Sequence, residues 1–194
     1  MELIKVNQDL IAKFPYPGDV YDLYDSIRSK LDVLFSRGNH WIRMDDGVST
    51  YKDQEFPEQG TGLHHWPELR PFLDCVWPSV KEYARLVDLD PERCEIRTMW
   101  ANIYHPGGRV NRHRHFYTDK LPTFSLICYL VRPPESGNLF VSVPGEDDVV
   151  VKEIDYAEGD IVIFPSRRLH WSGPNLSDQD RVLIAFDWYQ TPSG

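Results

Sequence analysis

The stretch Glu158-Gly159-Asp160-Ile161-Val162-Ile163-Phe164-Pro165-Ser166-Arg167-Arg168-Leu169-His170 decides how the chain is read. It holds an acidic turn with a glycine, a short β-branched and aromatic run bounded by proline, a brief basic loop, and then one histidine. Such a run reads as a strand closed by turn chemistry. The histidine sits where a strand would deliver it to a site. Eleven residues on, Arg181 opens the apolar run Val182–Trp188. A cation at the mouth of a buried strand is costly unless an anion pairs with it. A bound dicarboxylate would serve, gripped by the planar guanidinium fork; a surface pair with Asp178 or Asp180 is the plainer alternative.

Outward from this stretch, the whole region from about Cys94 has the same texture. Glu95–Tyr104, Pro122–Val131, Asn138–Val143, Val149–Ile154, Asp160–Phe164 and Arg181–Tyr189 are short runs of period two, separated by turns such as His105-Pro106-Gly107-Gly108 and Ser136-Gly137. No long amphipathic helix interrupts them, which points to a sandwich or barrel and not to a parallel α/β sheet. The first half differs. Val20, Leu23, Tyr24, Ile27, Leu31, Leu34 and Phe35 recur at helical spacing behind Asp19, an N-cap residue type, with Gly38 as a stop. A polar stretch from Arg37 to Gly62 reads as loop, with one short strand around Val48–Tyr51. A second helical stripe runs from Leu69 to Val87 after Pro67. Pro78 inside it predicts a kink or two short helices. We expect one α+β domain over 1–194: a helical and loop part over 1–93 packed on a β core over 94–190.

Composition narrows the function. The 194 residues carry 21 Lys and Arg against 30 Asp and Glu, a net charge of −9, which disfavours non-specific nucleic-acid binding because phosphate contacts need a basic face. No window approaches the roughly 20 apolar residues of a membrane-spanning helix, and the start MELIKVNQDL has no apolar signal core. Cys75, Cys94 and Cys128 are odd in number and lack metal or disulfide spacing; Cys128, in an apolar strand, reads as buried and inert. The expectation is a cytoplasmic protein acting on a small-molecule or peptide substrate.

The densest polar cluster is Arg109-Val110-Asn111-Arg112-His113-Arg114-His115. On a strand, His113 and His115 project from the same face about 6–7 Å apart along the backbone, a placement that can hold one divalent metal; a solvated strand end is the alternative. Of the remaining histidines, His64 and His65 could face a cleft but are ill placed to share a metal, His40 reads as surface or packing, and His105 as a structural hydrogen-bonding residue. Arg109, Arg112, Arg114 and Lys120 form a basic rim. Trp100 and Trp188 read as packing, and Trp171 as an aromatic at the site's edge.

Taken in order, His113-Arg114-His115, the strand Ser125–Leu130, Ser136-Gly137-Asn138-Leu139, the Gly159–His170 stretch and Arg181 resemble the Fe(II)/2-oxoglutarate-dependent oxygenases, in particular the small 2-oxoglutarate-Fe(II) oxygenase group related to prolyl hydroxylases. Residues Met99–Gly108 are similar to that group's strand and turn before the first histidine. The resemblance spans roughly residues 95–188. It implies a double-stranded β-helix (jelly roll) core braced by the N-terminal helices. It also implies Fe(II), 2-oxoglutarate and O2 as cofactor and cosubstrates, and hydroxylation of an unactivated C–H bond with release of succinate and CO2. By position, His113 and His170 would be metal ligands and Arg181 would hold the far carboxylate of 2-oxoglutarate. Asn102 and Tyr104 would add hydrogen bonds to that cosubstrate. The superfamily has HxD or HxE where this chain has His115, a Ser two residues after the Arg where this chain has Leu183, and fewer residues between the motif and Ser125. The third ligand is then His115 or the next carboxylate, Asp119, unless the site has two protein ligands or none. A three-histidine cupin-type dioxygenase needing no cosubstrate and a non-enzymatic jelly-roll binding module are the competing readings.

Overall fold

A computed structural model describes residues 1–6, 9–36, 44–51, 62–115, 117, 121–144 and 149–192. The expectations for His40, Gly38, Asp119 and Lys120 lie outside the described residues. Two antiparallel sheets form the core. The larger has seven strands in the order β1-β2-β8-β5-β10-β4-β3 and the smaller has three in the order β7-β6-β9. The strands are β1 (Glu2–Val6), β2 (Asp9–Pro15), β3 (Met44–Ser49), β4 (Cys94–Val110), β5 (Thr123–Val131), β6 (Leu139–Pro144), β7 (Val149–Ile154), β8 (Asp160–Pro165), β9 (His170–Ser172) and β10 (Arg181–Gln190). This is a double-stranded β-helix flanked by helices α1 (Val20–Ser36) and α2 (Arg70–Leu86).

Burial on both faces explains why the central strands read as unbroken apolar runs. Phe124, Leu126, Cys128 and Leu130 of β5 and Val182, Ile184, Phe186 and Trp188 of β10 join one core. To it α1 contributes Leu23, Ile27, Leu31 and Leu34, and α2 contributes Phe72, Leu73, Val76 and Val80. The opposite residues, Ile127, Tyr129, Leu183 and Ala185, pack with Leu139, Val141 and Val143 of the small sheet in a second core. Each such side chain contributes roughly 1.5–3 kcal/mol, so the helices and the small sheet are held to the large sheet from its two sides. Asp19 caps α1 as expected, its Oδ1 accepting from the Tyr21 and Asp22 amides at 2.8 and 3.2 Å.

Three features depart from the sequence reading. The N-terminal residues form a hairpin, with Val6 opposite Asp9, and β2 joins β8 with Ala12 opposite Ile163. Of the kink or two short helices expected at Pro78, the second is ruled out: a single helix runs through it, because the buried stripe on either side of the proline outweighs one lost backbone bond. Finally, β4 does not stop at Tyr104. The His105–Gly108 turn is an excursion inside the strand: Tyr104 pairs with Gly47 and Arg109 with Asp45, so four residues of β4 face Asp46 alone. Gly108 makes this possible, since a Cβ there would lie 2.2 Å from the Asp46 carbonyl oxygen.

Candidate metal centre

Beyond that excursion β4 ends at Val110, and the chain turns so that His113 meets His170 in an isolated antiparallel bridge. The two exchange backbone hydrogen bonds, His113 N to His170 O at 3.0 Å and His170 N to His113 O at 2.8 Å. The His115 amide donates to Ser166 O at 3.0 Å, which brings the second residue of the motif alongside the end of β8. The three imidazoles converge. Their ligand atoms lie within 4.8 Å of one another, and among the described residues this is the one group of His, Cys, Asp or Glu so arranged. His113 and His170 are buried, and the His115 side chain is 10% exposed.

Hydrogen bonds orient all three rings in the same sense. Nδ1 of His113 lies 2.8 Å from Asn111 O, and Nδ1 of His170 lies 2.8 Å from Arg168 O. A carbonyl can only accept, so Nδ1 carries a proton, and in the neutral ring Nε2 is left with the lone pair a metal requires. Nδ1 of His115 instead lies 2.6 Å from Oδ2 of Asp187. Asp187 is wholly buried and accepts from Ser125 Oγ at 2.6 Å and from the Tyr117 hydroxyl. Burial alone would push its carboxyl up. The adjacent His115 and the hydroxyls of Ser125 and Tyr117 more than offset this and hold it below the usual carboxylate range.

The pocket behind the histidines is walled by Trp100, Asn102, Tyr104, Tyr129 and Ser172 among others. Arg181 stands at its Tyr104 and Ser172 end. Its guanidinium lies 4.3 Å from the Tyr104 ring centre, and Nη2 donates to Ser172 Oγ at 2.9 Å. Nη1 donates to the carbonyls of Ser136, Gly137 and Gly173. Gly137 and Gly173 sit back to back, a Cβ on Gly137 (φ +71°) falling 2.6 Å from the Gly173 backbone, so no side chain fits where these carbonyls converge. Arg181 is 0% exposed, and among the described residues it pairs with no carboxylate and its Nε has no partner. Asp180 pairs with His105, at 2.8 Å. Asn102 donates to the Tyr104 hydroxyl at 3.1 Å while its own Oδ1 is buried with no partner among the described residues. Burial pushes the Tyr104 phenol up to about 12, with Arg181 and Asn102 acting against it, so it stays protonated.

The other sequence expectations divide. His105 is structural, as read. Cys128 is fully buried, and burial together with Asp160 pushes its thiol up, which leaves it inert. Trp188 is packing, stacked on Phe124 with centroids 4.7 Å apart. Trp100 is more than packing, since it lines the pocket with its ring edge to His115, centroids 5.7 Å apart. Trp171 is not at the pocket edge. Strand alternation turns it to the other face of β9, where it stacks on Phe140 under the Arg112 guanidinium. His64 and His65 lie against each other, ring centres 3.9 Å apart and tilted by 44°, in a separate hollow with Trp77. Sequence reasoning missed Asp187, Ser125 and Tyr117. Asp187 shares parity with Arg181, Leu183 and Ala185, and a lone acid on the inward face of an apolar strand was the available signal.

No protein-family model matches the chain, and no curated protein matches it. Solved structures do. AviO1 from Streptomyces viridochromogenes superposes with a TM-score of 0.59 at 17% identity, over 95% of this chain and 92% of that one. The non-heme alpha-ketoglutarate-dependent carbocyclase SnoK of nogalamycin biosynthesis gives 0.65 at 14% identity, over 93% and 79%. A prolyl-4-hydroxylase from Pseudomonas putida gives 0.55 at 15% identity, over 94% and 92%. At these identities the likeness establishes the fold.

Proposed function

We propose that the protein is an Fe(II)- and 2-oxoglutarate-dependent oxygenase that hydroxylates an unactivated C–H bond of an amino acid, peptide or other small metabolite. The observation that carries the reading is three imidazoles with metal-ready tautomers in one pocket and, against the Tyr104 and Ser172 that wall that pocket, a wholly buried arginine without an acidic partner among the described residues. Either alone has ordinary explanations; together they match the two ends of a metal-chelating keto acid. The fold shared with a prolyl-4-hydroxylase and an alpha-ketoglutarate-dependent carbocyclase supports the same reading. A three-histidine dioxygenase without a cosubstrate would leave Arg181 with carbonyl and hydroxyl partners but no anion among the described residues.

In this scheme His113, His115 and His170 hold the ferrous ion, which when bound supplies oxygen activation coupled to decarboxylation of the keto acid. Arg181 binds the distal carboxylate, its direction fixed by the backbone carbonyls and Ser172. The Tyr104 hydroxyl, which accepts from Asn102, has its own proton to donate to the same carboxylate. The apolar walls, Ile127, Leu139, Leu183 and Ala185, exclude water from the pocket. No general base is required of the protein. The test is anaerobic addition of Fe(II) and 2-oxoglutarate to metal-free protein: a weak visible charge-transfer band that is lost in His113→Ala is expected, and its absence in the wild type would overturn the assignment.

A further inference from the structure

The three histidines are not equivalent. His113 and His170 each give their Nδ1 proton to a neutral backbone carbonyl two residues back. His115 gives its proton to a carboxylate. That carboxylate, Asp187, is 0% exposed, and among the described residues no lysine or arginine pairs with it. Two hydroxyls, Ser125 and Ser166, sit on Oδ1 at 2.6 and 3.4 Å, and Tyr117 donates to Oδ2. A buried carboxylate held by donors, with no lysine or arginine paired to it among the described residues, is costly to keep charged; a metal ion seated on His115 would lie one imidazole away from it. Backbone register supports a built arrangement, since Asp187 of β10 lies directly opposite Ser125 of β5 and Thr98 of β4.

Resting on the metal-centre reading above, we propose that Asp187 is the positioning residue of the third ligand. It locks the His115 ring and supplies, one hydrogen bond outside the donor set, the negative charge that a carboxylate ligand would supply inside it. The formal charge of ion plus protein is then the same as for two histidines and one carboxylate. A dianionic cosubstrate meets the same net charge, although all three donors are neutral. Such a partner behind a metal-bound imidazole raises its basicity and typically contributes ten- to a hundredfold in metal affinity.

The test reads metal affinity in the full chain, by Co(II) absorption and by competition against a chelating dye, beside thermal melting of the metal-free protein. Asp187→Asn should bind Co(II) roughly ten- to a hundredfold more weakly than the wild type. His115→Asp alone should also bind weakly, because it sets a second carboxylate against the first. The double variant His115→Asp with Asp187→Asn moves the charge into the donor set and should regain affinity over His115→Asp, whatever Asp187→Asn alone does to folding. A purely structural His115–Asp187 pair would not give this rescue. Wild-type affinity in Asp187→Asn, or no gain in the double variant, overturns the inference. A wild-type chain that takes up no Co(II) overturns the metal-centre reading itself.

Discussion

Strands β5 and β10 carry two proteins' worth of information on opposite faces. Toward the helices they present Phe124, Leu126, Cys128 and Leu130 and Val182, Ile184, Phe186 and Trp188, apolar without exception. Toward the small sheet the same strands present Ser125, Ile127 and Tyr129 and Arg181, Leu183, Ala185 and Asp187, where apolar residues alternate with groups whose burial is justified only by partners. Period two lets one backbone do both jobs. The helix face supplies cohesion, and the sheet face spends some of it holding a cation and an anion in the dry interior.

The largest effect should come from breaking the cohesive face. Phe186→Ala is expected to cost about 3–5 kcal/mol of stability, measured by denaturant unfolding of the metal-free chain; a loss under about 1 kcal/mol would show that this face is not what holds the helices to the large sheet. Breaking the other face should strike binding, on top of a stability loss where buried acceptors such as the Ser136 and Gly173 carbonyls lose their donor. Arg181→Ala should weaken 2-oxoglutarate binding by about 2–5 kcal/mol while Co(II) uptake persists, read by calorimetry; unchanged affinity in the variant would take Arg181 out of the cosubstrate site, and a wild type that binds no 2-oxoglutarate would favour a dioxygenase that needs none.

The smallest expected effect lies outside both faces. Burial, with a contribution from His65, lowers the half-buried His64 to about 4 from its ordinary 6.5. The unfolded chain then binds more protons between those values, so stability is fully present above pH 6.5 and falls as pH drops toward 4. After discounting for exposure, the loss should be roughly 1–2 kcal/mol. Replacement by Gln should flatten that slope in melts taken from pH 7 to 4, and an unchanged slope would assign it to other groups.

This contrast also explains what could be read before the structure. Strands buried on both faces announce themselves as β-branched runs, so β5, β8 and β10 were legible to within a residue or two. The hairpin β1–β2 was not, because its pairing with β8 joins residues some 150 positions apart, and nothing local marks that. His105-Pro106-Gly107-Gly108 has every mark of a turn and makes one, but the strand resumes after it because Asp46 and Gly108 let the partner close over the excursion. The histidines and Arg181 were legible from pattern and order. Asp187 was hidden by its surroundings: within an apolar run a single acid looks like an interruption, until strand parity places it beside Ser125 and behind His115.

The reciprocal backbone bridge between His113 and His170 has one more consequence. Two donors of the centre are clipped together by main-chain bonds that owe nothing to an ion, so the entropy of gathering them is already met when the chain folds. Stripping with a chelator should therefore leave an intact receptacle that refills on adding metal, without a refolding step.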